Sequence, residues 1–182
     1  MALTLCANAQ SQVGKLPKPG ESTSAKQVDP KLHADAIRLV EVSGAKQRLQ
    51  DNFKQMGDDA VKQMMEECSQ CTPEYGDEWK KRFLERSNLQ DYLDVYVRVY
   101  EKYFTDAEIN ELIALQKNKG TSKATGPSPA LKEKLTSVMP SVMGDSVGGC
   151  AQIGAKLGAE IGGEIEREHP EYLRRPADKN GP

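Results

Sequence analysis

The sequence predicts an all-α fold, a bundle of about six or seven helices that ends in a long helix rich in glycine and alanine. Apolar residues recur at intervals of three and four along most of the chain, as they do on one face of an α-helix. Capping residues and prolines divide this pattern into helix-length pieces, and no segment alternates with the period of two typical of a strand. With 182 residues, 37% of them hydrophobic, the chain is long enough for one domain with a core.

The first two helices are predicted from caps and apolar spacing. Asp29 is a good N-cap, Pro30 fits the first helical position, and Gly44 is placed to end the helix. A second helix follows and ends between Cys68 and Cys71. Its apolar face carries Leu49, Phe53, Met56, Ala60 and Met64.

Three shorter helices are predicted in the middle of the chain. Residues 75–87 form one of them, and Asn88 caps the next, which contains four tyrosines and ends at Phe104. Thr105 to Glu108 is a capping box, in which the threonine side chain and the glutamate side chain each bond the other residue's backbone N–H. The helix that it opens ends near Gly120.

A loop rich in glycine, serine and proline precedes the last predicted helical region, which Ser128 and Pro129 begin. Pro140 is expected to kink this helix or to divide it from the glycine-rich helix of residues 144–166.

Small residues recur every fourth position in the glycine-rich helix. Its four glycines at 154, 158, 162 and 163 cost about 4 kcal/mol relative to alanine, so we expect a close contact with another backbone to offset them. The partner is a helix of the same chain or of a second copy. The predicted helix-packing or oligomer face comprises Gly154, Ala155, Gly158, Ala159 and Gly162.

The chain ends are predicted to lie outside the domain. Residues 1–9 end in Ala7-Asn8-Ala9, a small-x-small pattern typical of signal-peptidase cleavage, and we interpret them as the remnant of a signal peptide cleaved after Ala9. Residues 10–28 are a flexible tether, 29–168 a single helical domain and 169–182 a polar tail. The expected location is periplasmic or secreted, and the alternative is a cytoplasmic chain with an ordinary N-terminus.

One stretch carries a family resemblance. Residues 100–114, Tyr-Glu-Lys-Tyr-Phe-Thr-Asp-Ala-Glu-Ile-Asn-Glu-Leu-Ile-Ala, and the later Pro-Ser-Val-Met of 140–143 resemble an uncharacterised bacterial family, domain of unknown function number two-zero-five-nine. The similarity covers roughly residues 34–166. Members usually continue with Phe-Tyr where this chain has Leu115-Gln116. The resemblance implies an exported, all-helical domain with no established activity and no catalytic residues to assign.

The residue patterns favour a protein that is not an enzyme. A net charge of −2 argues against nucleic-acid binding, and no run approaches the length of a membrane span. No nucleophile elbow, phosphate loop or metal-ligand pattern occurs, so we expect no catalytic residue, no cofactor and no metal.

The cysteines are interpreted as structural. The Cys68–Cys71 pair sits at a helix C-terminus without the strand–turn–helix context of a redox dithiol. In an oxidising compartment, either of these cysteines pairs with Cys150, or the two pair with each other.

Two functions follow as hypotheses. The first is a non-catalytic interaction or structural module of the cell envelope, with a second copy or another envelope protein as its partner. The second is a carrier or receptor domain for a small apolar or sugar ligand, lined by Met56, Met64, Tyr96 and Tyr100, whose side chains suit an adaptable pocket. The competing interpretation of the tyrosines is core packing with the hydroxyl groups at the rim.

Overall fold

The computed structural model describes residues 29–121 and 125–173, and within these ranges it confirms the all-α bundle. The predicted signal-peptide remnant, the tether and residues 174–182 lie outside the described part. In the described part no strand occurs, and a single isolated bridge pairs Cys71 with Leu173. The helices are α1 (Pro30–Val42), α2 (Ala45–Glu67), α3 (Pro73–Arg86), α4 (Leu89–Tyr103), α5 (Asp106–Asn118) and α6 (Pro129–Glu168).

The predicted caps begin the helices where the sequence places them. The Asp29 carboxylate accepts a hydrogen bond from the Lys31 backbone N–H at 2.9 Å. In the capping box, the Thr105 N–H donates to Glu108 Oε2 at 2.7 Å. Gly44 adopts a left-handed φ of 70° between α1 and α2, a conformation that favours glycine and lets the chain turn sharply there.

Pro140 does not divide the last helical region into two helices. The two predicted pieces form one continuous helix of 40 residues, about 60 Å long at 1.5 Å per residue. Pro140 and Thr136, whose carbonyl loses its hydrogen-bond donor, are both exposed. Water can therefore solvate that carbonyl, and this lowers the penalty that a proline imposes on a helix interior.

The helices enclose two core clusters, and α6 runs through both. The first core cluster fills the space between α1, α4, α5 and the N-terminal part of α6, with Ile109 fully buried at its centre. The second core cluster lies between α2, α3 and the C-terminal part of α6. Its buried members are Cys71, Tyr75, Trp79, Phe83, Ile161 and Ile165.

The fold extends to Leu173, past the boundary predicted at residue 168. Residues Pro170–Tyr172 form a single 3-10 turn that packs against α3 and α6. The Thr72 N–H donates to the Tyr172 carbonyl at 2.9 Å, and Tyr172 and Leu173 pack on the second core cluster. This segment therefore covers the beginning of α3.

Candidate functional site: the groove between α2 and α6

A groove of about 890 Å³ separates the C-terminal half of α2, residues 56–67, from residues 150–159 of α6. Both helices pack on α3, and α4 packs on α6. Side chains of α3 and α4 thus form the floor of the groove, while α2 and α6 form its two walls. We call this feature the α2–α6 groove.

Two parallel rows of small residues form the α6 wall. In the first row, a Cβ atom at Gly158 would stand 3.0 Å from Trp79 Cζ2, and one at Gly162 would stand 3.1 Å from the Tyr75 hydroxyl. The Trp79 indole N–H also donates to the Gly158 carbonyl at 3.2 Å. Glycine at these two positions therefore allows aromatic side chains of the same chain to approach α6 closely, where the sequence suggested another backbone.

The second row consists of Ala151, Ala155 and Ala159, and all three are exposed and line the groove. The predicted packing face therefore has two parts. Its glycines contact or approach aromatic side chains of α3 and α4, and its alanines Ala155 and Ala159 face the open groove. Whether a second copy of the chain binds to these alanines stays a prediction.

The α2 wall is apolar at its base and acidic at its edge. Met56, Ala60 and Met64 are half-buried and line the groove. Asp59 accepts a hydrogen bond from Gln55 Nε2 at 2.9 Å, and Glu67 accepts one from Gln63 Nε2 at 3.0 Å. In the part of the chain that the structure describes, no lysine, arginine or histidine lines the groove beside these carboxylates.

The floor is a stack of aromatic rings. Trp79 stacks on Phe83 with ring centroids 5.1 Å apart, and Phe53 stacks on Phe83 at 6.0 Å. Phe53 also meets Tyr92 edge to face at 5.3 Å. The three lining rings, Trp79, Phe83 and Tyr92, are thus joined through Phe53, which does not itself line the groove.

The predicted ligand lining is only partly brought together. Met56 and Met64 line the groove, but Tyr96 and Tyr100 pack against the first core cluster and are absent from the lining. A four-residue step turns about 40° around a helix, so Tyr96 and Tyr100 rotate progressively away from Tyr92, which does line the groove. Burial raises the pKa of the Tyr100 hydroxyl, and the nearby charge of Arg48 opposes that shift.

Cys68 and Cys71 form a disulfide at one end of the groove, with an S–S distance of 2.07 Å and a Cα–Cα distance of 5.4 Å. The predicted alternative, a bond from either cysteine to Cys150, is not formed, and Cys150 is buried in the first core cluster. Cys68 follows the last residue of α2, so it lacks the helix-N-terminal position that activates the attacking thiol of a redox dithiol.

The described residues contain no group of three or more histidine, cysteine, aspartate or glutamate residues that could hold a metal ion. His33 contacts Glu101 at 2.5 Å and His169 contacts Glu171 at 3.0 Å, both outside the groove lining. Within the same ranges, no helix is long and apolar enough for a membrane span.

Comparison of the chain with protein-family models, with curated proteins and with solved structures finds no match. The resemblance to domain of unknown function number two-zero-five-nine therefore stays a prediction.

Proposed function

We propose that this chain is a non-catalytic interaction module of the cell envelope that binds a protein partner in the α2–α6 groove. One observation carries the proposal: the exposed alanines at 151, 155 and 159 stand opposite Met56 and Met64 over an aromatic floor. An apolar groove of this kind, left open on the surface of a single chain, is typical of a binding surface.

The dimensions of the α6 wall favour a partner segment over a flat protein surface. The alanine row extends from residue 151 to residue 159, about 12 Å along the helix axis. Small residues at four-residue spacing leave a channel that the side-chain ridge of another helix can enter. Methionines on the opposite wall adapt their shape to such a ridge.

Photo-crosslinking in the producing cell tests this function. A photoreactive phenylalanine analogue replaces Gln152 at the edge of the groove or Gln116, an exposed glutamine of α5, as the matched control. We expect a discrete protein adduct from position 152 and none from position 116. Equal labelling at both positions, or no protein adduct from position 152, would contradict the proposal.

The disulfide supports the proposed location in the cell envelope. Bonds such as Cys68–Cys71 persist in oxidising compartments and are rare in the cytosol, where thiols are kept reduced. Intact-mass analysis of the protein from its natural host tests the location. We expect a chain that begins at Gln10 and lies about two mass units below the reduced mass. A reduced chain that retains Met1 would point to the cytoplasmic alternative.

A carrier of a small apolar ligand is the second candidate function. Met56 and Met64 line the groove, and its volume of about 890 Å³ falls within the range of small-molecule sites. A sugar ligand in the groove would not stack on Tyr96 and Tyr100 as expected, because both tyrosines lie outside the lining. Native mass spectrometry of the full chain distinguishes the two functions: persistent mass from a bound small molecule supports the carrier.

A further inference from the structure

We propose that the occupant of the α2–α6 groove is an amphipathic helix of a partner protein, with basic residues on the flank that faces α2. This inference rests on the proposed interaction function and adds the chemistry of the partner. It is carried by the distribution of charge around the groove.

The α2 edge of the groove is acidic. Asp59 and Glu67 line it, and Glu66 is exposed beside them. Lys62 stands three residues after Asp59 and about 200° around the helix from Ala60, so it flanks the acidic edge on the side away from the groove base and does not line the groove. A partner with basic residues on this flank would place them opposite the two lining carboxylates.

The α6 edge has a different character. It presents alanines and Gln152, and the exposed charges next to these alanines are of opposite sign: Lys156 follows Ala155 and Glu160 follows Ala159. The charge across the groove therefore changes from negative at α2 to near neutral at α6. This asymmetry sets which flank of the partner helix faces α2.

The spacing of the acidic residues fixes the spacing expected in the partner. Asp59 and Glu67 are eight residues apart on one helix, about 12 Å. A helix that lies along the groove meets this separation with two basic residues seven or eight positions apart. Between them, a ridge of alanine and leucine would fill the channel over the alanine row.

Peptide titration of the full chain tests the inference. The probe is an 18-residue alanine–leucine helix without tryptophan, with lysines at positions 5 and 12 of one flank, and the matched peptide carries glutamates at those positions. The readout is the fluorescence of Trp79, the single tryptophan of the chain, which lies in the groove floor. We expect the lysine peptide to bind about tenfold more tightly at low salt, and this preference to shrink as salt rises.

Three variants locate the effect. Asp59→Lys combined with Glu67→Lys should reverse the preference between the two peptides. Ala155→Arg should abolish binding of both peptides by filling the channel, and Ala114→Arg, at an exposed position of α5, should bind them as the unchanged protein does.

The outcomes separate this inference from the function on which it rests. Equal affinity for both peptides, or no binding of either, overturns the basic amphipathic helix, while a protein crosslink from position 152 still supports the interaction module. If both peptide binding and that crosslink are absent, both proposals fail. A dimer that Ala155→Arg dissociates would identify a second copy as the occupant and overturn the separate partner.

Discussion

Two neighbouring glycines of α6 have opposite surroundings, and this difference can be tested. A Cβ atom at Gly149 would stand 2.6 Å from Val95 Cγ1, whereas one at Gly148 would meet nothing within 4 Å. Val95 is a buried, branched side chain of α4 and cannot rotate away freely. Alanine at either position gains about 1 kcal/mol of helix propensity, but at position 149 the steric overlap outweighs that gain.

We therefore expect Gly148→Ala to raise the free energy of unfolding by up to about 1 kcal/mol and Gly149→Ala to lower it by about 1–3 kcal/mol. Urea unfolding followed by circular dichroism measures both variants, and each serves as the control for the other. Equal stabilisation by the two alanines would show that α4 does not approach α6 at Gly149.

For single residues, the sequence predicts a local role more reliably than it predicts which residues of other helices lie in contact. The capping box at Thr105 and Glu108 could be predicted because all its bonds are local. The row of Gly154, Gly158 and Gly162 also predicted a close approach, but spacing cannot identify what approaches. The answer, aromatic rings of α3 and α4, depends on how α6 is rotated about its axis, which only the packed structure determines.

At the scale of whole helices, α6 continues through Pro140, where the sequence predicts a kink or a boundary. The first core cluster holds Leu131 and Val142 on either side of Pro140, so tertiary packing keeps both halves of the helix in place. A helix propensity is a weak preference that such burial overrides. The length of α6 was therefore underestimated from local sequence, although the long glycine-rich and alanine-rich helix itself was predicted.

We expect Pro140→Ala to raise the free energy of unfolding by about 1–3 kcal/mol, because it restores the hydrogen bond to the Thr136 carbonyl at an exposed position. Thermal unfolding measures the change. The control is Ser141→Ala, at the next exposed position of the same helix, which adds no backbone bond. An unchanged melting temperature for Pro140→Ala would mean that the proline imposes no net penalty at this point, and a lower one that it stabilises the helix; either result would contradict the expectation.

A cluster of ion pairs joins α3 to the C-terminal end of α6. Arg82 donates to Glu78 and to Glu168, each at 2.7 Å. These hydrogen bonds hold the pKa of both carboxyl groups below the ordinary glutamate value of 4.5. Because the folded pKa values are lowered, the stabilisation is present above about pH 4.5 and is lost as the pH falls through the folded values.

Arg82→Gln should therefore lower the melting temperature at pH 7. Between about pH 6 and pH 3, the melting temperature of this variant should fall less than that of the unchanged protein. Arg98→Gln, which removes the charge of an exposed arginine on α4, is the matched control. If the two variants have the same pH dependence, the α3–α6 ion pairs do not contribute to the acid sensitivity of the fold.

For the whole molecule, the division into two core clusters could not be predicted from the sequence. Apolar periodicity identifies which side chains of a helix face inward, but it does not say which helices share a core. Two features join the clusters here: α6 passes through both, and the ring of Phe53 contacts Phe83 of the second cluster and Tyr92 of the first. The groove opens beside this junction, since Phe83 and Tyr92 also line its floor.

The continuity of α6 leads us to expect that both clusters unfold in one transition. Ile109 in the first cluster and Ile161 in the second are each fully buried, so valine at either position should lower the free energy of unfolding by about 1 kcal/mol. Trp79 fluorescence reports on the second cluster alone, whereas circular dichroism reports on all helices.

For a single cooperative unit, the denaturation midpoints from the two signals coincide, and Ile109→Val shifts the Trp79 midpoint as much as Ile161→Val does. A Trp79 midpoint that responds only to Ile161→Val would instead show two independently unfolding clusters. In that case Trp79 and Phe83 of the groove floor could separate from α6 while Tyr92, which belongs to the first cluster, stays in place.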